Sequence, residues 1–169
     1  MSTPAVFKWI NPDDFLQTNS GRLWTPERNK AAWELAFASL ERALAETPPA
    51  HETPLSLDLY VVCGIQGAGK STWIRENALR LAPCIFFDAA LPRAIHRLPL
   101  MTIARRFGAT VHAVWINTPI ERALDRNRQR SADERVPESS ILAVAGQFEP
   151  PTISEGFAAV LNIESADGH

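Results

Sequence analysis

Residues 64–71, Gly-Ile-Gln-Gly-Ala-Gly-Lys-Ser, match the spacing G-x-x-x-x-G-K-[ST] in full. The residue types suit one task, holding an oxyanion. Gly64, Gly67 and Gly69 permit positive φ angles and keep Cβ atoms out of the path between backbone N–H groups and a phosphate; Ala68 completes the loop. The loop opens a helix, whose N-terminal partial positive charge favours an anion. Lys70 can reach the β and γ phosphates as a mobile point charge, and Ser71 can offer its hydroxyl to Mg²⁺. Thr72 adds a hydroxyl nearer the α phosphate. The ligand this pattern calls for is a nucleoside triphosphate, ATP with Mg²⁺.

Binding alone is not chemistry, and two further features bear on transfer. Asp88 ends the apolar run Cys84–Asp88, and ligands of open α/β sheets gather at the carboxyl ends of strands. A carboxylate there can hold Mg²⁺ through a water or take the proton of an attacking hydroxyl. The plainer role is an N-cap for the helix expected near Pro92. Arg122, Arg126, Arg128, Arg130 and Arg135 lie close together, interleaved with Asp125, Asp133 and Glu134. Such a run is ordinarily a solvated, ion-paired helix face. Arginine's rigid fork, however, suits phosphate oxygens, and Arg126 and Arg130, spaced i,i+4, would share one helix face as a lid over the triphosphate.

The elements that position these groups alternate. Residues 1–24 read as irregular. Thr25 and Pro26 read as an N-cap and first helical residue, and Trp33, Phe37, Leu40 and Leu44 give an amphipathic helix to about Ala45. A proline-rich linker follows at 46–54. Strands are expected at 55–63, 84–88, 110–117 and 157–163. Helices are expected at 70–81, at 92–108 with an interruption at Pro99, from Thr118 and Glu121 as a capping box to Arg130, and at 137–148. Strands alternating with helices predict an α/β fold, a small parallel sheet of about four strands flanked by helices. The division expected is an N-terminal helical extension over 1–54 and a P-loop domain over 55–169.

Bulk properties exclude several classes. A chain of 169 residues with 46% apolar and 21% charged residues is one ordinary globular unit. The net charge of -2 gives no global attraction to nucleic acid or anionic membrane, so anion binding must be local. No apolar run is long enough to cross a bilayer, and the N-terminus lacks the apolar core of a signal peptide. Cys63 and Cys84 read as buried thiols in a reducing cytoplasm, and the four histidines show no metal-ligand spacing.

The stretches "GIQGAGKSTW", "FFDA…R", "TPIERALDRNRQR…RVP" and "FEPPTISEGFAAVLNI" resemble the kinase domain of polynucleotide 5′-kinases, within the P-loop kinases that include zeta toxins. The resemblance runs from about Leu57 to Ile163. It implies a kinase in which Gly64, Gly67, Gly69, Lys70 and Ser71 hold the triphosphate and Mg²⁺. Asp88 would be the aspartate ending the strand beside the P-loop strand, and Arg126 and Arg130 the lid arginines that neutralise the transferring phosphoryl group. Such kinases also place a strand ending in D-x-x-R after the P-loop helix, to serve the acceptor. Here that helix leads directly to "APCIFFDAALPR", and the one D-x-x-R, Asp125 to Arg128, falls inside the lid helix. The acceptor half is therefore deleted, merged into Asp88, or supplied by residues 1–54, which carry Asp13, Asp14, Arg22 and Arg28. In that segment Trp24 and Trp33 read as packing residues, though an exposed tryptophan could stack a base.

Three functions remain open at this level. One is transfer of the γ-phosphoryl to a nucleic acid 5′ hydroxyl; a second is a zeta-toxin-like kinase of a small nucleotide sugar or metabolite. The third is an ATP-binding module with little or no transfer, which the absent D-x-x-R favours and the arginine pair disfavours. The oligomeric state is left open.

Overall fold

The computed structural model describes residues 6–46 and 57–165, so the linker expected at 46–54 lies, apart from Glu46, outside the described residues. Among the described residues, seven strands and five α-helices follow in chain order. They are β1 (Phe7–Ile10), β2 (Gln17–Thr18), β3 (Gly21–Arg22), α1 (Pro26–Ala45), β4 (Asp58–Cys63), α2 (Lys70–Leu81) and β5 (Cys84–Asp88). The rest are α3 (Ala94–Arg106), β6 (Thr110–Asn117), α4 (Ile120–Arg128), α5 (Glu138–Gly146) and β7 (Ala159–Glu164).

The main sheet is parallel throughout, in the order β1-β5-β4-β6-β7. It thus has five strands rather than four. The added one is β1, from the segment read as irregular: Phe7, Lys8, Trp9 and Ile10 pair with Cys84, Ile85, Phe86 and Phe87. A four-residue edge strand carries too short an alternation to register as a pattern. The turn Pro12–Leu16 and the small hairpin β2–β3 follow it.

Alternation along the central strands sends side chains into two apolar layers. Leu59, Val61, Ile85, Phe87, Val111 and Ala113 face α1 and α3, where Ala36, Leu40, Leu44, Leu100 and Ala104 meet them. Tyr60, Val62, Phe86, Val114 and Ile116 face the other way, against Ile74 and Ala78 of α2, Ala123 of α4 and Ile141 of α5. Helix α1 begins as expected, with the Thr25 side chain accepting from Arg28 N–H and Pro26 in the first turn. Trp33 is half-buried against Phe37 and Phe87, so it is a packing residue.

Other boundaries differ in instructive ways. Helix α3 runs through Pro99, which lies on its exposed face, where the carbonyl left without a helical donor can turn to water. The capping box expected at Thr118 does not form. The N-cap of α4 is Pro119, without a side-chain cap, and the buried Thr118 hydroxyl donates to the Ala68 carbonyl at 2.7 Å instead. Helix α4 ends at Arg128, so Arg130 lies in the following turn and does not share a helical face with Arg126. The cause is Asn127, fully buried, which donates to the Val136 carbonyl at 2.6 Å and accepts from Val136 N–H at 2.9 Å. That clasp folds residues 128–136 back on themselves. No helix among the described residues is long and apolar enough to cross a membrane.

Candidate functional site

The glycine loop joins β4 to α2 at the carboxyl edge of the sheet. Gly67 has φ +82°, and a Cβ there would fall on the Ala123 carbonyl oxygen of α4. At Gly64 (φ +150°) a Cβ would lie 2.7 Å from the Ile116 carbonyl oxygen. Close approach, as well as backbone conformation, therefore excludes larger residues. Gly64 N–H is anchored to the Ala90 carbonyl at 3.2 Å.

The loop's carbonyl oxygens accept from groups behind or beside it. Lys70 Nζ donates to Gly64 at 3.2 Å and Ile65 at 3.3 Å, while Arg126 Nη1 donates to Ala68 at 2.8 Å and Gly67 at 3.4 Å. Helix α2, by contrast, starts at Gly69 in the left-handed region with no side-chain cap. Its first N–H groups are thus left for an external acceptor, and a cradle with engaged carbonyls and open amides fits a polyphosphate. Ser71 stands half-buried in the first turn and Thr72 is exposed.

Asp88 is 1% exposed at the end of β5. Its Oδ2 accepts from Trp9 Nε1 at 3.2 Å and Asn11 Nδ2 at 3.3 Å. Burial raises its pKa above the ordinary aspartate value, against the opposing pull of the Lys70 charge. Burial likewise lowers the pKa of Lys70, which Asp88 raises and Arg130 lowers further. Lys70, Asp88 and Arg130 therefore share one electrostatic site, although no Lys70–Asp88 ion pair forms. Asp88 does not cap the following helix, which begins at Ala94.

Of the arginine-rich run, Arg126 reaches the loop, as above. Arg128 is an exposed ion pair with Asp125 (2.8 Å) and Glu138 (2.6 Å), so the lone D-x-x-R is structural. Arg135 donates to the Arg128 and Arg130 carbonyls, stiffening the turn.

Several residues that place the site carry no local sequence signal. Arg97, 0% exposed, pairs with Glu155 through both Nε (2.7 Å) and Nη2 (3.0 Å), while its Nη1 donates to the Leu91 carbonyl at 2.8 Å. Leu91 sits at φ +48°, just beyond the Ala90 carbonyl that holds Gly64. Arg97 thereby fixes the loop between Asp88 and α3. Trp9 and Asn11 have equally quiet signals; only the pairing of β1 brings them to Asp88. Arg75 of α2 lies over the Trp9 ring, 5.4 Å from its centroid. Cys63 and Cys84 are buried free thiols, their pKa values pushed up by burial to about 12 and about 11.

A central five-stranded parallel sheet between helices, with the glycine loop at the carboxyl edge of its middle strand, is the fold of the P-loop kinases. A family model described as an AAA domain matches residues 75–151, from within α2 to the loop after α5. Among solved structures, the chain is similar to one in a crystal structure of AvrRxo1-ORF1 with AvrRxo1-ORF2 and sulphate ions, at 16% identity and a TM-score of 0.47. The similarity covers 75% of this chain and 57% of that one, so the chain spans little more than half the length of the protein it matches.

Proposed function

We propose that this chain is a phosphotransferase that moves the γ-phosphoryl group of ATP to a hydroxyl acceptor. The observation that carries the reading is the buried Asp88 carboxylate, whose charge is felt by Lys70 of the glycine loop, together with Arg130, whose charge also acts on Lys70, and Arg126, which donates to the loop's Ala68 carbonyl. A cleft that only stored a nucleotide would gain nothing from a desolvated carboxylate beside the phosphates.

Asp88 holds one oxygen against Trp9 and Asn11, which leaves Oδ1 to take a proton. As the acceptor oxygen bonds to the γ phosphorus, the bond from phosphorus to the bridging oxygen breaks, ADP departs, and the hydroxyl proton passes to Oδ1. Lys70, Arg126 and Arg130 offset charge on the equatorial and leaving oxygens. Ser71, and Asp88 through water, are the groups that would hold Mg²⁺, which supplies further charge neutralisation when bound. The acceptor suggested by the sequence resemblance is a polynucleotide 5′ hydroxyl.

The test is Asp88→Asn. We expect nucleotide affinity within about threefold of the parent and transfer slower by about 10²–10⁴-fold. Near-normal turnover would remove Asp88 from the reaction.

A further inference from the structure

We propose that the hairpin β2–β3 is a latch for the turn that follows α4. Asp133 is the positioning residue: seated on the hairpin, it holds Arg130 where its charge acts on Lys70, and so slows the escape of bound nucleotide. The proposal rests on the phosphotransferase reading for the role of Arg130, and it makes the nucleotide cleft depend on the N-terminal segment.

The turn over residues 128–136 has a fixed base and an exposed tip. The Asn127–Val136 clasp closes the base. Within the turn, the Glu134 and Arg135 N–H groups donate to the Ser131 carbonyl at 3.1 and 3.0 Å. Arg135 Nη2 donates to the Arg128 and Arg130 carbonyls at 2.9 and 3.1 Å. Whatever holds the tip therefore also holds Arg130. Residues 131–135 are all exposed, and among the described residues they hydrogen-bond beyond the turn at Asp133 alone.

That tie runs to the hairpin. A Cβ on Gly21 would stand 3.2 Å from Asp133 Oδ2. The Ser131 hydroxyl, the Asp133 N–H and the Arg22 N–H hold the Asp133 carboxyl below its ordinary range. Gly21 sits at φ +107°, so a side chain there would strain the hairpin as well as crowd the carboxylate. The Arg22 guanidinium adds an attraction of its own, between Asp133 on the turn and Asp13 and Asp14 on the N-terminal segment. The hairpin is a firm support. Thr18 Oγ1 donates to the Gly21 carbonyl at 2.6 Å and Leu23 N–H to the Leu16 carbonyl at 3.0 Å, while Arg28 donates to the carbonyls of both Leu16 and Leu23. Through Asn11 the same segment reaches Asp88, so it touches both sides of the cleft. A tie made by one exposed carboxylate is weak, which suits an element that must open for each nucleotide.

The test loads a fluorescent, non-hydrolysable ATP analogue with Mg²⁺ and follows its release by stopped flow. The chains compared are the parent, Asp133→Ala, Asp133→Asn, Arg130→Ala and the double variant of Asp133→Ala with Arg130→Ala. We expect Asp133→Ala to speed release about three- to fivefold, the range open to one exposed contact. Asp133→Asn can still accept from the Arg22 N–H and the Ser131 hydroxyl, and should stay nearer the parent. In the Arg130→Ala background, Asp133→Ala should add nothing, because the latch then has no cation to place. The urea midpoints of the parent and Asp133→Ala should coincide. Unchanged release, the same acceleration with and without Arg130, or faster release that merely follows a lowered urea midpoint overturns the proposal. So does a parent that binds no analogue. Coupling of Asp133 to Arg130 without any transfer from γ-labelled ATP would sink the phosphotransferase reading alone. Transfer with the two residues uncoupled would sink the latch alone.

Discussion

Asn11 Nδ2 donates to Asp88 Oδ2 at 3.3 Å, joining side chains 77 positions apart in sequence. With Trp9 Nε1 on the same oxygen, it makes the N-terminal strand part of the environment of Asp88, the one carboxylate fully buried among the described residues. Polar donors satisfy Asp88 without supplying a counter-charge within ion-pair distance. The group therefore stays desolvated, with its pKa raised.

Asp88 should accordingly cost stability near neutral pH. Its folded pKa lies above its unfolded value, so between the two the folded chain holds a proton that the unfolded chain has released. Stability falls as pH rises through that window and stays lower above it. Asp88→Asn, which can still accept from Trp9 and Asn11, should melt higher than the parent at pH 7, by about 2–4 °C for each kcal/mol relieved. The gain should shrink as pH falls towards 4. Thermal melts across pH check this; an equal or lower melting temperature at pH 7 would contradict it.

Asn127→Ala removes the clasp on Val136 and leaves two backbone groups without their partner. We expect a loss of about 1–3 kcal/mol in denaturant unfolding. Transfer should fall more than nucleotide binding does, because residues 128–136 lose their fold while the glycine loop keeps its own.

Gly67→Ala should be severe at the loop. The new Cβ meets the Ala123 carbonyl and must also adopt φ +82°. Binding of a fluorescent ATP analogue should drop at least tenfold, while the same change at Gly108, where a Cβ meets nothing within 4 Å, should leave binding intact.

Arg97→Ala leaves Glu155 and the Leu91 carbonyl without their buried partner. Breaking a buried pair from one side costs about 3–5 kcal/mol. Replacing both partners, Arg97→Met with Glu155→Gln, should recover part of that loss, as a double-mutant cycle in urea would measure.

What the sequence made legible was local. The glycine loop announces itself because its chemistry needs adjacent residue types, and β5, β6 and α2 fall where the apolar runs put them. The failures have a common physical origin in tertiary partners. The Thr118–Glu121 spacing reads as a helix cap, yet the hydroxyl is engaged by Ala68, 50 positions away. Arg126 and Arg130 read as one helical face, yet Asn127 turns to Val136 and ends the helix between them. Strand β1 is four residues long and gains its identity from β5 alone. No strand lies between α2 and β5 in the sequence, and the place beside β5 is taken instead by β1 from the N-terminal segment.

The central claim is phosphoryl transfer, and γ-labelled ATP with Mg²⁺ tests it most directly. The label should be followed in the presence of 5′-hydroxyl DNA, 5′-hydroxyl RNA, a nucleotide-sugar pool, a sugar phosphate, or water alone. We expect label on an organic hydroxyl acceptor, faster than release to water, and slowed by about 10²–10³-fold in Lys70→Ala. ATP bound with Lys70-dependent affinity, but with its label retained or passed to water alone, would contradict it.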